Sequence, residues 1–354
     1  MDIQAKIITG IKYTPFLCRN LNSFSLDDLG QALSKEATFF LDVDEKNKIA
    51  VSWWVSPKRT RSYPYARVYD SLKFTGKKIT IIPILKDEGK EGDRDFLQWD
   101  TVSLMSLLGI YVIISYYSEA IPSSRYEKKI TEQRYDLQHV KNELEKLLSY
   151  QSDALHWNLS NIKSAGAIGE KALEAYARIS KKLKIEMHSA DSAKKRITEL
   201  LKGKDAFLGL SRKLAQEAQK RESLTKQPKE KLSGAKATIT IKNYLGGNYY
   251  FTADEALVKE KNIYLIEGKH TRDKRLPSLG DVKDGLLKMI LFTNLEDVKI
   301  FQKEGYSATP VLKLTTGRGF NLSVLKKSDE EILNLLKQES QTNNFKVQIN
   351  QSYI

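Results

Sequence analysis

Asp254-Glu255-Ala256-Leu257-Val258-Lys259-Glu260-Lys261-Asn262-Ile263-Tyr264-Leu265-Ile266-Glu267-Gly268-Lys269 is the stretch whose reading decides the fold. Its run from Ile263 to Ile266 is apolar on both faces, the pattern of a central strand covered on both sides. Strand side chains alternate, so Glu267 and Lys269 point to one face, about 7 Å apart along the chain. A buried strand does not end in two opposite charges on one face unless something there uses them. Asp254 lies 13 residues (267 − 254) before Glu267, which suits a hairpin. One strand brings Asp254 in, residues 259–262 turn, and the next strand returns Glu267 beside it. Glu255 adjoins Asp254, and either is a candidate for the upstream carboxylate.

Two carboxylates and an ammonium group suit phosphate chemistry. Magnesium is bound by a few carboxylates and keeps most of its waters, finishing its shell with phosphate oxygens. Asp254 and Glu267 are the candidate anionic ligands for Mg2+, and the Gly268 carbonyl is a candidate third oxygen. Lys269 would orient or deprotonate an attacking water and offset charge gathering on the phosphate.

These residues resemble the motif of the PD-(D/E)xK nuclease superfamily and, within it, the type II restriction endonucleases. The resemblance spans roughly residues 165–315, with Ala253 where the motif has its proline. The order of elements is similar too. Ala165 to Leu183 has helical spacing in Ile168, Ala172, Ala175, Tyr176, Ile179 and Leu183. Ala237–Ile241 and Asn248–Thr252 read as strands around a Leu245–Asn248 turn, Asp281–Leu295 as a second helix, and Thr309–Thr315 as a further strand. The fold expected is α/β: a restriction-endonuclease-like core, a mixed β-sheet flanked by helices, with an N-terminal α/β domain and a helical connecting region.

The resemblance implies a Mg2+-dependent, sequence-specific endonuclease that hydrolyses double-stranded DNA to leave 5′-phosphate and 3′-hydroxyl ends. It also implies a homodimer, functional pairing with a DNA methyltransferase, and a helix glutamate at the metal site. Glu170 is the candidate for that glutamate; the other reading is an exposed residue beside Lys171 and Glu174. Two alternatives stay open. One is a repair or recombination nuclease of the same fold, and the other a noncatalytic DNA-binding protein whose Glu-x-Lys pair is only a salt bridge.

Composition agrees with a polyanionic partner. The 354 residues carry a formal charge of +14, and 41% are hydrophobic, ample for a folded core. A single cysteine, Cys18, excludes intrachain disulfides and points to a reducing, cytoplasmic compartment. His139, His156, His188 and His270 are scattered, unlike a zinc hydrolase cluster. The uncharged run Thr101–Ser118 reads as a helix followed by a buried strand rather than a membrane span. The boundaries expected are 1–121 for an N-terminal α/β region with a candidate role in DNA recognition, 122–164 for a helical connector, and 165–354 for the catalytic domain with a helical insertion at 186–236.

Candidate DNA contacts fall in three places. Lys58, Arg59, Arg61 and Arg67 mix with aromatics in a loop after Trp53-Trp54. Thr271, Arg272 and Lys274 follow the Glu-x-Lys strand, and Lys283 and Lys288 lie on the helix after it. Asp87–Asp95 reads as a solvated charged loop, Asp205–Arg221 as a helix, and Leu224–Lys236 as a connector. Ser328-Asp329-Glu330-Glu331 reads as a capping box that starts a closing helix.

Overall fold

Two discontinuous units divide the chain: Met1–Asn20, Tyr65–Lys73 and Leu214–Ile354 form the first, Leu21–Pro64 and Phe74–Lys213 the second. The structure, a computed structural model, describes residues 1–44, 47–57, 63–201, 235–243, 248–322 and 325–354. The first unit opens with β1 (Asp2–Ile7). The second follows with β2 (Ser23–Ser25), α1 (Leu29–Lys35), β3 (Thr38–Asp42) and β4 (Lys48–Trp53), and α2 (Tyr63–Ser71) returns to the first from Tyr65. The second unit then adds β5 (Lys78–Pro83), β6 (Leu85–Asp87), β7 (Arg94–Phe96), α3 (Trp99–Leu107) and β8 (Ile110–Ser115). It continues with β9 (Tyr117–Pro122), β10 (Ile130–Tyr135), α4 (Leu137–Leu148), α5 (Ala154–Asn161), α6 (Ala165–Leu183) and α7 (Ala190–Leu201). The first unit resumes with β11 (Ala235–Asn243), β12 (Asn248–Lys259), β13 (Asn262–His270), α8 (Leu279–Phe292), β14 (Glu296–Ile300) and β15 (Lys303–Thr315). It closes with α9 (Lys327–Thr342), β16 (Lys346–Ile349) and β17 (Ser352–Tyr353).

In the first unit the sheet order is β13-β12-β11-β1-β14-β15-β16-β17, and β15 pairs with β13 as well, so six strands form a closed hydrogen-bonded circuit. The length of β15 makes this closure. Its start pairs antiparallel with β14 through Lys303 and Tyr306, and Ser307 to Thr315 pair parallel with Asn262 to His270 of β13. A parallel pair needs a crossover, usually helical, and α8 supplies it. Ser278 caps α8 by accepting from the Asp281 N–H at 3.2 Å. The helix is covered on nearly every side, from Val282 through Phe292, which is why its sequence is apolar all round. It carries three charges in that stretch, Lys283, Asp284 and Lys288.

The second unit has a five-stranded sheet in the order β2-β3-β4-β5-β8, with only β3 and β4 antiparallel, and two hairpins, β6–β7 and β9–β10. The expected helix and strand within Thr101–Ser118 are α3 and β8, and no helix among the described residues is long and apolar enough to cross a membrane.

Several expectations need correction. The units do not follow boundaries at 121 and 164, because β1 pairs in parallel with β11 and so belongs to the sheet carrying the Glu-x-Lys strand. Helix α6 has the predicted limits but lies in the second unit, outside that sheet. Asp87–Asp95 is a hairpin tip rather than a solvated loop: Asp87 is 4% exposed and bonds His188 Nδ1 at 2.7 Å. The expected capping box does not form, since α9 starts after Lys326 with no side-chain cap. The Asp205–Arg221 helix, residues 224–234 of the connector and residues 245–247 of the turn lie outside the described residues.

Candidate active site

The β12–β13 ladder runs from Lys259 opposite Asn262 to Glu255 opposite Ile266. Carried one step further, that register sets Asp254 across from Glu267. Here a side chain continues the contact: the Gly268 N–H donates to Asp254 Oδ2 at 2.8 Å. The N–H and C=O of a strand residue point to the same edge, so the Gly268 carbonyl also faces the Asp254 side.

β12 bulges at this point. Three steps from Ala253 to Ala256 lie opposite two steps from Ala237 to Ala235. A bulge adds one residue and re-aims the side chains around it. Asp254 is half-buried against Gly268, whereas Glu255 is 1% exposed with the Lys313 ammonium 3.6 Å away. Asp254 is thus the carboxylate of the two that sits on the Glu267 side.

Glu267 is 2% exposed, and its two oxygens are taken by two lysines: Lys269 at 2.9 Å and Lys288 at 2.7 Å. Lys269 also donates to Asp284, and Lys288 donates to the Thr252 carbonyl at 3.1 Å. The charges therefore alternate along the sheet rim: Asp284, Lys269, Glu267, Lys288, with Asp254 acting on Lys288 through its field. Burial alone would raise the Glu267 carboxyl, but the Lys269 and Lys288 charges overcome it and hold the group below the ordinary carboxylate range. Burial would likewise lower both lysines; Glu267 with Asp284 raises Lys269, and Glu267 with Asp254 raises Lys288. In this arrangement Lys269 keeps its proton. It can donate hydrogen bonds and stabilise negative charge.

A close approach of α8 makes room for Lys269. A methyl group built on Gly285 would come within 2.5 Å of Leu312 Cδ1 and 3.3 Å of Lys269 Cε. A side chain there would make Leu312 Cδ1 shift and the lysine stem give by a few tenths of an ångström. Beside it, where β13 ends and α8 begins, lies a cavity of about 370 Å³ lined in part by His270, Thr271, Arg275, Ser278, Asp281 and Leu314.

The other expected site residues fall differently. Glu170 is exposed on α6 of the second unit, while Asp254 and Glu267 are in the first. Lys283 is 3% exposed and pairs with Asp70 of α2, and Lys288 is engaged with Glu267, so neither presents a free cation to a duplex. The reason is that α8 is covered on nearly every side, so Lys283 is turned toward α2 and Lys288 toward the sheet. Arg67 is not in a loop: it is half-buried within α2. Lys58, Arg59 and Arg61 lie outside the described residues. Thr271 is half-buried and donates its N–H to the Thr315 carbonyl at 3.0 Å; Arg272 and Lys274 are exposed. Asp284 was absent from the sequence-based site, and Lys288 had a different role in it. Their signal is nevertheless readable: two opposite charges four residues apart, on one face of a mostly apolar helix.

Among the described residues no group of three or more His, Cys, Asp or Glu side chains is placed to hold a metal ion. The donors at Asp254, Glu267 and the Gly268 carbonyl are two carboxylates and one main-chain oxygen. These are donor types that Mg2+ takes, but both Glu267 oxygens are engaged by Lys269 and Lys288 and Asp254 Oδ2 by the Gly268 N–H, so a cation would have to displace these contacts. Compared with protein-family models, curated proteins and solved structures, the chain matches none.

Proposed function

We propose that this protein is a Mg2+-dependent endonuclease acting on double-stranded DNA, similar to the type II restriction enzymes of the PD-(D/E)xK superfamily. The observation that carries the reading is the convergence of Asp254, Glu267 and Lys269 at one strand-pair rim, with Asp254 bonded to the Gly268 N–H and Glu267 bonded to Lys269. The strand order supports it: an antiparallel β11-β12-β13 meander, then helix α8, then β15 parallel to β13. Strand pair, helix, strand is the later part of the order the resemblance implies; the helix expected before it, α6, lies in the second unit. The excess of basic residues, 58 Lys and Arg against 44 Asp and Glu, favours a nucleic-acid partner.

Asp254, Glu267 and the Gly268 carbonyl would hold the cation. When bound, Mg2+ supplies Lewis acidity at a phosphate oxygen and lowers the pKa of a water. Lys269, fixed between Glu267 and Asp284, donates to the attacking water or to a phosphate oxygen. Asp284 orients that lysine, and Gly285 lies against its stem. Hydrolysis to a 5′-phosphate and a 3′-hydroxyl, recognition of a short sequence, a homodimer and a partner DNA methyltransferase in the cytoplasm belong to the same proposal. Incubation of the purified chain with phage DNA and Mg2+, followed by sequencing of the ends, tests it. Discrete, sequence-defined ends support the reading. Preference for branched DNA would favour a repair nuclease, and the absence of cleavage would favour a noncatalytic binding protein.

A further inference from the structure

We propose that the face of the first unit's sheet turned away from α8 binds single-stranded DNA, with Tyr264 and Tyr353 stacking on bases and Lys259 and Lys346 meeting phosphates. Strand register puts these four side chains on one face. Lys259 lies opposite Asn262, and Tyr264 shares the Asn262 side of β13, whereas Glu267 and Lys269 point the other way, to Lys288 and Asp284 of α8. Ile266, on the Tyr264 side, pairs with Val311 of β15, and Val311 pairs with Lys346 of β16. Gln348, two residues beyond Lys346, pairs with Tyr353 of β17. The side chains then meet in a row. The Lys259 ammonium lies 5.8 Å from the Tyr264 ring centre, and the Lys346 ammonium lies 5.4 Å from the same ring and 5.7 Å from that of Tyr353. Lys259, Lys346 and Tyr353 are exposed, Tyr353 by 59%, and Tyr264 is half-buried.

Cation, ring, cation, ring is the alternation that one strand of nucleic acid complements, because each nucleotide offers a phosphate and a base face. Any base can stack on a tyrosine ring, and each lysine can neutralise a phosphate. An exposed lysine–ring contact is weaker than base stacking, so an arriving base takes the ring face and the ammonium swings to the backbone. A paired duplex keeps its bases stacked inside and offers the tyrosines nothing. Charge agrees with a polyanion. Glu255, on this same face, is buried with the Lys313 ammonium 3.6 Å away, and the exposed Glu260 lies between Lys259 and Lys261 in a turn that stays net positive. The surface is on the opposite side of the sheet from Glu267 and Lys269 and needs no cleavage; only the choice of DNA over RNA rests on the nuclease reading.

The test is fluorescence anisotropy of a labelled oligothymidylate of about 20 nucleotides, titrated with the purified full chain in EDTA beside an oligouridylate of equal length. The wild type should bind the oligothymidylate more tightly. Tyr353→Ala should weaken that binding about 5- to 150-fold, the effect of losing one stacked base, and Tyr353→Phe should retain it. Tyr353 is exposed in the short strand β17, so its replacement leaves the fold intact. Lys346→Ala should lower the slope of log K against log salt by about 0.7, one phosphate of a single strand. Oligothymidylate binding by Tyr353→Ala within twofold of wild type, no binding by the wild type, or tighter binding of the oligouridylate would overturn the inference. Plasmid cleavage is scored separately: a wild type that binds the strand in this way and cuts nothing removes the nuclease reading and leaves this surface, and the reverse result removes the surface alone.

Discussion

Replacing Glu267 by Gln tests the electrostatics of the site separately from its chemistry. The carboxylate is buried and bridges two ammonium groups, at 2.9 Å to Lys269 and 2.7 Å to Lys288. Removing one partner of a buried ion pair costs about 3–5 kcal/mol, because the other charge is left uncompensated. Lys269 keeps Asp284, and Lys288 keeps the Thr252 carbonyl, so the lower end applies, about 3 kcal/mol. All four tryptophans (Trp53, Trp54, Trp99, Trp157) belong to the second unit, so tryptophan fluorescence does not report on this one. Hydrogen–deuterium exchange of peptides spanning β12, β13 and α8 does. A loss of about 3 kcal/mol speeds exchange that requires opening of the unit roughly 10²-fold. The double variant Glu267→Gln/Lys288→Met should recover part of this loss, since it removes the stranded ammonium. The pH dependence has a fixed sign: a carboxyl held below its ordinary value of 4.5 contributes its stability fully above that pH and loses it as pH falls through the folded-state value. The gap between wild type and variant should therefore be full at pH 7 and narrow below pH 4.5. Exchange in Glu267→Gln within threefold of wild type at pH 7 would refute the reasoning.

Three further outcomes are expected. Gly285→Ala places a methyl 2.5 Å from Leu312 Cδ1 and 3.3 Å from Lys269 Cε, so an overpacking cost of about 1–3 kcal/mol opposes a helix-propensity gain of about 1 kcal/mol; cleavage should fall about 10²-fold through displacement of Lys269, a loss out of proportion to the change in denaturation midpoint. Lys283→Met should destabilise by less than about 3 kcal/mol in urea unfolding, because the buried Asp70 carboxylate loses its ammonium but keeps the Arg19 N–H at 3.1 Å and the Arg19 guanidinium at 3.4 Å, while the salt slope of DNA binding stays unchanged. In the second unit, burial would raise the Glu88 carboxyl, but hydrogen bonds from Lys129 and Lys86 bring it down to about 2; tryptophan-monitored stability should fall between pH 4.5 and 2, and less so in Glu88→Gln.

Much of the site was legible because it is local. Glu267 and Lys269 share a strand face by alternation alone, and the 13-residue return to Asp254 follows from hairpin geometry. The helix after the strand and its parallel partner β15 were readable from periodicity. What was not legible depends on contacts far apart in sequence. Nothing local tells that Met1 to Ile7 pairs with β11, more than 200 residues later, or that α6 packs in the other unit. Lys283 and Lys288 look like ordinary surface cations in a list of residues; only the burial of α8 on nearly every side turns them inward. The choice between Asp254 and Glu255 needed the bulge, since a regular strand simply puts them on opposite faces and does not say which face is which.

The most direct measurement of the central claim is the single-turnover cleavage rate of supercoiled plasmid carrying a mapped site, with Mg2+, for wild type, Asp254→Ala, Glu267→Ala and Lys269→Ala. Each variant should lose about 10²-fold or more in rate, the usual scale for removing such a group, while Lys269→Ala still binds the DNA. Cleavage at the wild-type rate by folded Glu267→Ala would contradict the account.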